Sequence, residues 1–183
     1  PGKEIEFHQA VEKALAYATA LNVPSVNILA GKQPQDADLL PCLNTLSANF
    51  KMACHMFSHA GIQPVFEMIN GTDMPRFLVQ NIAQAQEMLE AVQHPALKMQ
   101  YDCYHLAMMG EDILEGLQEN IEFIGHIQFA DCAGRHEPDT GSINYASIFT
   151  WLKQSPYTGF IAAEYRPSQA SEKTFAWKDK YFA

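Results

Sequence analysis

Residues 63–70 read Gln-Pro-Val-Phe-Glu-Met-Ile-Asn, a short apolar run that contains one carboxylate, at position 67. Such a run, placed after a glycine and rich in β-branched and aromatic residues, predicts a buried strand over 63–69. Burying the Glu67 carboxylate alone among these neighbours is costly. The run therefore predicts both a strand of a buried sheet and a functional acid near its end.

Helices and strands alternate along the chain on both sides of this run. Apolar residues at helical spacing predict helices over 4–21, 39–60, from Pro75 to 92, 111–119 and 145–154, and an amphipathic stretch from 171. Strands are predicted over 25–30, 63–69, 96–102, 123–130 and 159–164. Because parallel strands need crossover connections, this alternation predicts an α/β fold, either an open doubly wound sheet or part of a closed barrel.

The composition narrows the class of protein. The chain is 48% hydrophobic and 18% charged, which predicts a single globular domain over residues 1–183. Its formal net charge of -9 argues against binding to nucleic acid or to an acidic membrane surface. The sequence shows neither a membrane-spanning run nor a signal peptide, and its cysteines form no C-x-x-C pair, so we expect reduced thiols and a cytoplasmic protein.

Residues able to bind metal or move protons recur near the C-terminal ends of the predicted strands. They are Glu67, Asp102, His126, Gln128 and Glu164. Converging carboxylates repel one another unless a cation or a proton lies among them, and the C-terminal mouth of a parallel α/β barrel is where active sites lie. Any one strand-end acid taken alone is explained better as a helix cap or a solvated loop residue than as a metal ligand. Their repetition predicts a divalent metal site.

The residue types favour a hard cation. Carboxylate and amide oxygens, with at most one nitrogen, suit Mg²⁺ or Mn²⁺ better than zinc. His126 and Gln128 lie two apart on one strand and so face the same side, which leaves the choice of ligand between them open. His105 follows Asp102 by three residues, where the chain is expected to leave the strand in a loop, and Arg135 lies in the polar loop 131–142. Both are candidates for contact with substrate oxygens, since an arginine there can hold a carboxylate.

Taken in order, these segments resemble the hydroxypyruvate isomerase family, a branch of the xylose-isomerase-like TIM barrels that includes ketose 3-epimerases. The resemblance covers essentially the whole chain and is carried by EMIN (67–70), QYDCYH (100–105), GHIQFAD (125–131), GRHEPDTGSINY (134–145) and AEYRP (163–167). It implies that Glu67, Asp102, Gln128 and Glu164 bind the metal, and that Glu67 and Glu164 also transfer protons. His105 and Arg135 are then expected to bind substrate.

In the epimerases of this family the third metal ligand along the chain is a histidine. The spacing back from Arg135 puts Gln128 at that position, which favours the isomerase branch. The implied reaction is the interconversion of hydroxypyruvate and tartronate semialdehyde through an enediolate.

The resemblance also implies that part of the barrel is missing. A family barrel has eight βα units, whereas five strands are predicted here, corresponding to about the last five units. The sequence opens Pro1-Gly2-Lys3 and runs at once into a helical pattern. We therefore expect an N-terminally truncated chain, or a fragment completed by a partner.

Several other functions fit the same residues. Within the family, the chain could be a 2-oxo-tetronate isomerase or a ketose 3-epimerase. From a different class, it could be an inactive binding or scaffold remnant of the barrel. A zinc-dependent phosphodiester nuclease needs more histidine ligands and a basic surface. The expected partner is a small oxo acid or sugar, and association of identical copies is left open.

Overall fold

The computed structural model describes residues 1–183 and confirms that helices and strands alternate. The helices are α1 (Glu4–Leu21), α2 (Leu39–His59), α3 (Ile82–Val92), α4 (Cys103–Met108), α5 (Ile113–Asn120), α6 (Tyr145–Gln154) and α7 (Ala176–Phe182). The strands are β1 (Ser25–Asn27), β2 (Gln63–Glu67), β3 (Lys98–Asp102), β4 (Ile124–Phe129) and β5 (Ile161–Ala163). Short 3₁₀ helices lie at Ile121–Phe123 and Ser171–Lys173.

The chain divides into two compact units, residues 1–100 and 101–183. The boundary falls inside β3. The prediction of a single domain over 1–183 stays a prediction.

In the first unit, three strands pair in parallel in the order β1, β2, β3. Helix α2 packs on β2 through one apolar face, which buries Cys42, Leu46, Phe50, Ala53, Cys54 and Phe57. These residues recur at the three- and four-residue spacing of a helix face. The rings of Phe50 and Phe66 meet at 5.3 Å between centroids, so this packing fixes β2 just before Glu67.

In the second unit, β4 pairs in parallel with β5. Phe129, at the end of β4, lies among the rings of Tyr145, Phe149 and Trp177, at centroid distances of 5.8, 5.2 and 5.1 Å. This cluster joins α6 and α7 to the strand and holds the residues that follow Phe129 in place.

The predicted helix from Pro75 to residue 92 begins later than expected, at Ile82. Residues 71–80 instead form a loop whose backbone bonds to neighbouring segments: Ile69 N–H donates to Val79 C=O, and Leu78 N–H to Gly31 C=O. The side chain of Asn81 then accepts from Gln84 N–H and caps the helix. Burial of Phe77, Leu78 and Val79 in the loop outweighs their part in a helical pattern.

Helix α4 was not predicted. The sequence suggested a loop after Asp102, but the Asp102 carboxylate accepts hydrogen bonds from Tyr104 N–H and His105 N–H and starts a helix there. A strand thus passes directly into a helix at one acid. The predicted strands are otherwise confirmed, with shorter ends.

The four cysteines are unpaired, as expected. Met68, Met88 and Met99 are buried as core residues. No helix has the length and hydrophobicity needed to cross a membrane.

Truncating Phe129 to alanine tests the aromatic cluster. Phe129 is 2% exposed, so Phe129→Ala should lower the free energy of unfolding by about 3–5 kcal/mol, because it removes a buried ring and leaves a cavity. Phe160 is the matched control, because it lies in the same unit and is 68% exposed. Phe160→Ala should change the free energy of unfolding by less than about 0.5 kcal/mol. Urea denaturation measures both; equal effects would show that the cluster does not anchor β4.

Candidate active site

Glu67 is the last residue of β2 and is 6% exposed. In the parallel register Asn27 of β1 lies opposite Val65, so Asn27 and Glu67 share a face of the sheet. The Asn27 side-chain amide donates to Glu67 Oε2 at 2.8 Å. The predicted acid is thus buried and held by a neighbouring strand of its own unit.

The chain turns sharply after Glu67. Asn70 is fully buried, and its side chain accepts from Asp73 N–H at 2.8 Å while donating to the Asp73 carboxylate at 3.0 Å. This pair of hydrogen bonds begins the loop 71–80 and stabilises the backbone just beyond the acid.

Asp102 begins the second part of the site. Its side chain is 1% exposed, and Oδ1 accepts from Tyr104 N–H at 2.8 Å and from His105 N–H at 3.4 Å. Its other oxygen, Oδ2, lies 3.6 Å from Nη2 of Arg135. One acid therefore caps α4 and also faces a guanidinium group.

Burial dominates the electrostatics of Asp102. It raises the pKa of the carboxyl from its ordinary 3.8 to about 6, against the lowering effects of the Arg135 charge and the Tyr104 and His105 N–H groups. The negative charge of Glu164 raises that pKa further. The site thus has a deficit of positive charge around Asp102, which a bound cation would offset.

His105 lies inside helix α4 and is buried, rather than in a loop as the sequence suggested. Its Nε2 atom is 3.9 Å from Asp102 Oδ2, so the two side chains can contact the same ligand. Its predicted contact with substrate stays a prediction, and the geometry also permits a ligand role.

Gln128 and Glu164 lie on adjacent strands. Gln128 pairs with Ala162, and Glu164 follows β5 with its N–H donating to Phe129 C=O at 3.0 Å. Strand alternation puts both side chains on the face opposite Phe129. The Glu164 side chain is 54% exposed and Ala163 before it is exposed as well, so this acid, unlike Glu67, is not buried.

His126 lies on the same face as Gln128, as the two-residue spacing predicted. Both are half-buried, whereas Ile127 and Phe129 between and after them are buried on the other side. Burial lowers the pKa of His126, which keeps the ring neutral and able to ligate. The assignment of the ligand to Gln128 stays a prediction.

Arg135 joins the two acids of the second unit. Its Nη2 lies 2.6 Å from Glu164 Oε2 and 3.6 Å from Asp102 Oδ2. The guanidinium also stacks over the Tyr104 ring, with its carbon 5.1 Å from the centroid. Its backbone has a positive φ of 57° and accepts from Arg166 N–H at 2.6 Å.

Asp131 shapes the loop that carries Arg135. Its buried carboxylate accepts from the N–H groups of Cys132, Thr140 and Ile143 at 2.9, 3.1 and 3.1 Å. Three such bonds stabilise one loop conformation. The loop is therefore built around a structural acid and presents an arginine.

Three residues that sequence reasoning missed position the predicted ones: Asn27, Tyr104 and Asp131. Asn27 ends β1, so the rule that located the other candidates at strand ends applies to it as well. Tyr104 and Asp131 gave no such signal, because a ring beneath a guanidinium and a carboxylate inside a loop depend on the folded backbone.

The donor chemistry of these residues fits a hard divalent cation. Asp102, Gln128 and Glu164 offer oxygen atoms in one unit, and Glu67 offers another in its own unit. Asp102 and His105 belong to a group of buried acid and histidine side chains that could hold a metal ion.

The family model described as the xylose isomerase-like TIM barrel matches residues 1–181, and the chain belongs to this family. The predicted fold class is thereby confirmed: an α/β TIM-barrel type, of which this chain carries about five βα units.

Three similar proteins illustrate the match. A hydroxypyruvate isomerase of Escherichia coli is 35% identical, and a 2-oxo-tetronate isomerase of Cupriavidus necator is 34% identical; each alignment covers 99% of this chain and 70% of the relative. A crystal structure titled as an AP endonuclease, family 2, from Brucella melitensis is 30% identical, with a TM-score of 0.94 over 99% of this chain and 70% of that one. The expectation of an isomerase is confirmed by the first two.

Neutralising Asp102 tests the electrostatics of the site. The folded chain binds this proton more tightly than the unfolded chain, so the contribution of the group to stability is complete below pH 4 and is lost as pH rises through about 6. Asp102→Asn keeps the helix cap and removes the buried charge. In metal-free buffer it should raise the free energy of unfolding by roughly 2–3 kcal/mol at pH 8.

The same variant should equal the wild type at pH 4, where the acid is already protonated. Thermal unfolding between pH 4 and 8 in the presence of a chelator measures both limits. A variant less stable than the wild type at pH 8 would mean that the Arg135 charge outweighs burial.

Proposed function

We propose that this protein is a metal-dependent isomerase that interconverts hydroxypyruvate and tartronate semialdehyde (2-hydroxy-3-oxopropanoate) through an enediolate. The observation that carries the proposal is the recurrence of acids at strand ends, at Glu67, Asp102 and Glu164, in a chain 35% identical to a hydroxypyruvate isomerase. The isomerisation moves one proton between adjacent carbons and needs no redox cofactor.

Four residues are proposed to bind the metal: Glu67, Asp102, Gln128 and Glu164. Their oxygen atoms favour Mg²⁺ or Mn²⁺. Such an ion, when bound, polarises the carbonyl of the substrate and stabilises the negative charge that develops in the enediolate. The raised pKa of Asp102 supports a cation nearby, because binding would restore the ionised form.

Glu67 and Glu164 are proposed as the proton-transfer pair. One carboxylate takes a proton from the hydroxyl-bearing carbon of hydroxypyruvate, and the electron pair of the broken C–H bond forms the enediolate double bond while the neighbouring carbonyl oxygen becomes an oxyanion. A carboxylic acid then returns a proton to the carbon that carried the carbonyl, and the hydroxyl proton passes to the oxyanion, which leaves an aldehyde at the first carbon. Burial of Glu67 keeps it away from bulk water, whereas Glu164 exchanges protons with solvent easily because it is exposed.

Arg135 and His105 are proposed to orient the substrate. The guanidinium has several N–H donors in a planar fork, which suits the carboxylate of a 2-oxo acid. Its position beside Glu164 and over Tyr104 supports this role, since stacking limits its freedom before substrate arrives. His105 is buried two residues into α4, where its ring can bond to a substrate oxygen.

A 2-oxo-tetronate isomerase is the second candidate, because the relative of that name is 34% identical. A ketose 3-epimerase is a third candidate. It is less favoured because Gln128 lies where the epimerases have a histidine ligand. An inactive scaffold remnant would bind metal or partner without turnover. The name of the Brucella structure, an AP endonuclease, suggests a nuclease as a further candidate. A net charge of -9 argues against this function, because the protein would repel a polyanion.

Assays of the complete gene product on each substrate separate these functions. Hydroxypyruvate, a four-carbon 2-oxo acid, a ketose and an abasic-site oligonucleotide form the panel, each with Mg²⁺ or Mn²⁺ added. Highest kcat/KM on hydroxypyruvate is expected; exclusive turnover of any other member would replace the proposal.

The proposal also concerns where the protein works and with what. We place it in the cytoplasm, supported by four unpaired cysteines, and expect a small oxo acid or sugar as its partner rather than nucleic acid or membrane. Assembly of identical copies is left to measurement of the mass in solution.

Replacing either proton-transfer residue should nearly abolish turnover. Glu67→Gln and Glu164→Gln keep size and polarity but cannot accept a proton, so kcat should fall by about 10²–10⁴-fold. Glu119→Gln, an exposed change on α5, is the matched control and should leave kcat unchanged. Steady-state kinetics with circular dichroism as a check on folding measure the effect; normal kcat in either variant would disprove the mechanism.

Replacing the guanidinium of Arg135 with the ammonium group of lysine should weaken substrate binding. Arg135→Lys keeps the charge but loses the paired N–H donors and the stacking on Tyr104, so KM for hydroxypyruvate should rise by roughly tenfold or more. Arg166→Lys is the control, because the contacts of Arg166 shown here come from its backbone. An unchanged KM in Arg135→Lys would remove Arg135 from the substrate site.

A further inference from the structure

One buried polar atom in the first unit has no hydrogen-bond partner: the side-chain oxygen Oδ1 of Asn27. Most buried side-chain oxygens in folded proteins are paired, so an unpaired one calls for an explanation. The other atom of the same amide, Nδ2, donates to Glu67 Oε2 at 2.8 Å. The two observations belong to one side chain and point to one cause.

The hydrogen bond fixes which way the amide faces. A carboxylate can only accept, so Nδ2 must face Glu67, and the oxygen is directed away from it to a place that water does not reach. Reversing the amide would break the bond to Glu67 and bring two oxygens together. The unpaired oxygen is therefore the cost of holding Glu67.

An apolar residue of similar size would avoid this cost. Asn27 ends β1 and shares a face with Val65 and Glu67, so a leucine would fit the period of the strand. A polar residue that leaves one of its atoms unpaired while it contacts a candidate catalytic acid is typical of a functional constraint.

We infer that Asn27 is a positioning residue for Glu67. Its Nδ2 donates a hydrogen bond to Oε2 of the carboxylate. This bond orients the carboxylate for proton transfer or for metal binding. The inference rests on the proposed function, in which Glu67 is a ligand and one of the two proton-transfer groups. Outer residues that orient ligands in this way typically change metal affinity or activity by about 10- to 100-fold.

The test compares Asn27→Leu with the wild-type protein. The expected result is a fall in kcat of about 10- to 100-fold with KM changed less than about twofold, because the carboxylate loses its orientation and not its substrate. The melting temperature reflects two opposing changes, because the unpaired oxygen is removed and the buried Glu67 carboxylate loses a donor, so kcat is the deciding readout. A residue with only a structural role would leave kcat intact.

Two further variants complete the design. Asn27→His retains a nitrogen donor at the same number of bonds from the backbone, so it should recover most of the lost turnover. Asn44→Leu, an exposed change on α2, should alter neither kcat nor melting temperature. If Asn27→Leu does not fold, Asn27→Ala serves as the donor-free variant.

Calorimetric titration with Mn²⁺ gives a readout that does not depend on turnover. Affinity should fall by roughly tenfold in Asn27→Leu and recover in Asn27→His. Unchanged kcat and Mn²⁺ affinity in Asn27→Leu, beside an impaired Glu67→Gln, would overturn the inference. If the wild-type protein turns over no substrate of the panel, the proposed function fails, and the Mn²⁺ affinities alone decide the role of Asn27.

Discussion

Burial of the Asp102 carboxylate is the constraint on which the second unit depends. A charge with 1% exposure must be compensated, and the chain does so with two backbone N–H groups and one guanidinium. The N–H groups come from the helix that the acid itself begins, and the guanidinium comes from a loop built around a second buried acid, Asp131. Helix α4 and the loop that carries Arg135 thus both stabilise the Asp102 carboxylate.

This compensation of the Asp102 charge is incomplete. Burial still raises the pKa of Asp102 to about 6, so near neutral pH the acid is poorly stabilised without further positive charge. A metal ion would supply that charge. The Arg135 guanidinium is shared between two acids, since its Nη2 lies 2.6 Å from Glu164 Oε2 and 3.6 Å from Asp102 Oδ2.

Much of the fold followed from patterns that depend only on local chemistry. Short apolar runs between helical patterns predicted all five strands, and the predicted bounds of α6, 145–154, match the structure. The errors arose where tertiary contacts decide. The loop 71–80 has apolar residues that suit a helix, yet they are buried and the loop forms hydrogen bonds to Gly31 and Ile69. Helix α4 was missed because Asp102 is at once the end of a strand and the cap of a helix.

The candidate site divides in the same way. Glu67, Asp102, Gln128 and Glu164 could be proposed from sequence because residues at the ends of parallel strands converge at one edge. Asn27 obeys the same rule but carries no charge and was overlooked. The stacking of Arg135 on Tyr104 could not be predicted, since it depends on a loop backbone with positive φ at Arg135.

The central claim is that Glu67, Asp102, Gln128 and Glu164 bind one divalent ion. Crystals of the complete gene product grown with Mn²⁺ and measured at the manganese absorption edge test it most directly. The account predicts one anomalous peak, ligated by the three carboxylates and by the Gln128 amide oxygen. A peak ligated by His126 instead of Gln128, or a peak that excludes Glu67 or Glu164, would contradict it.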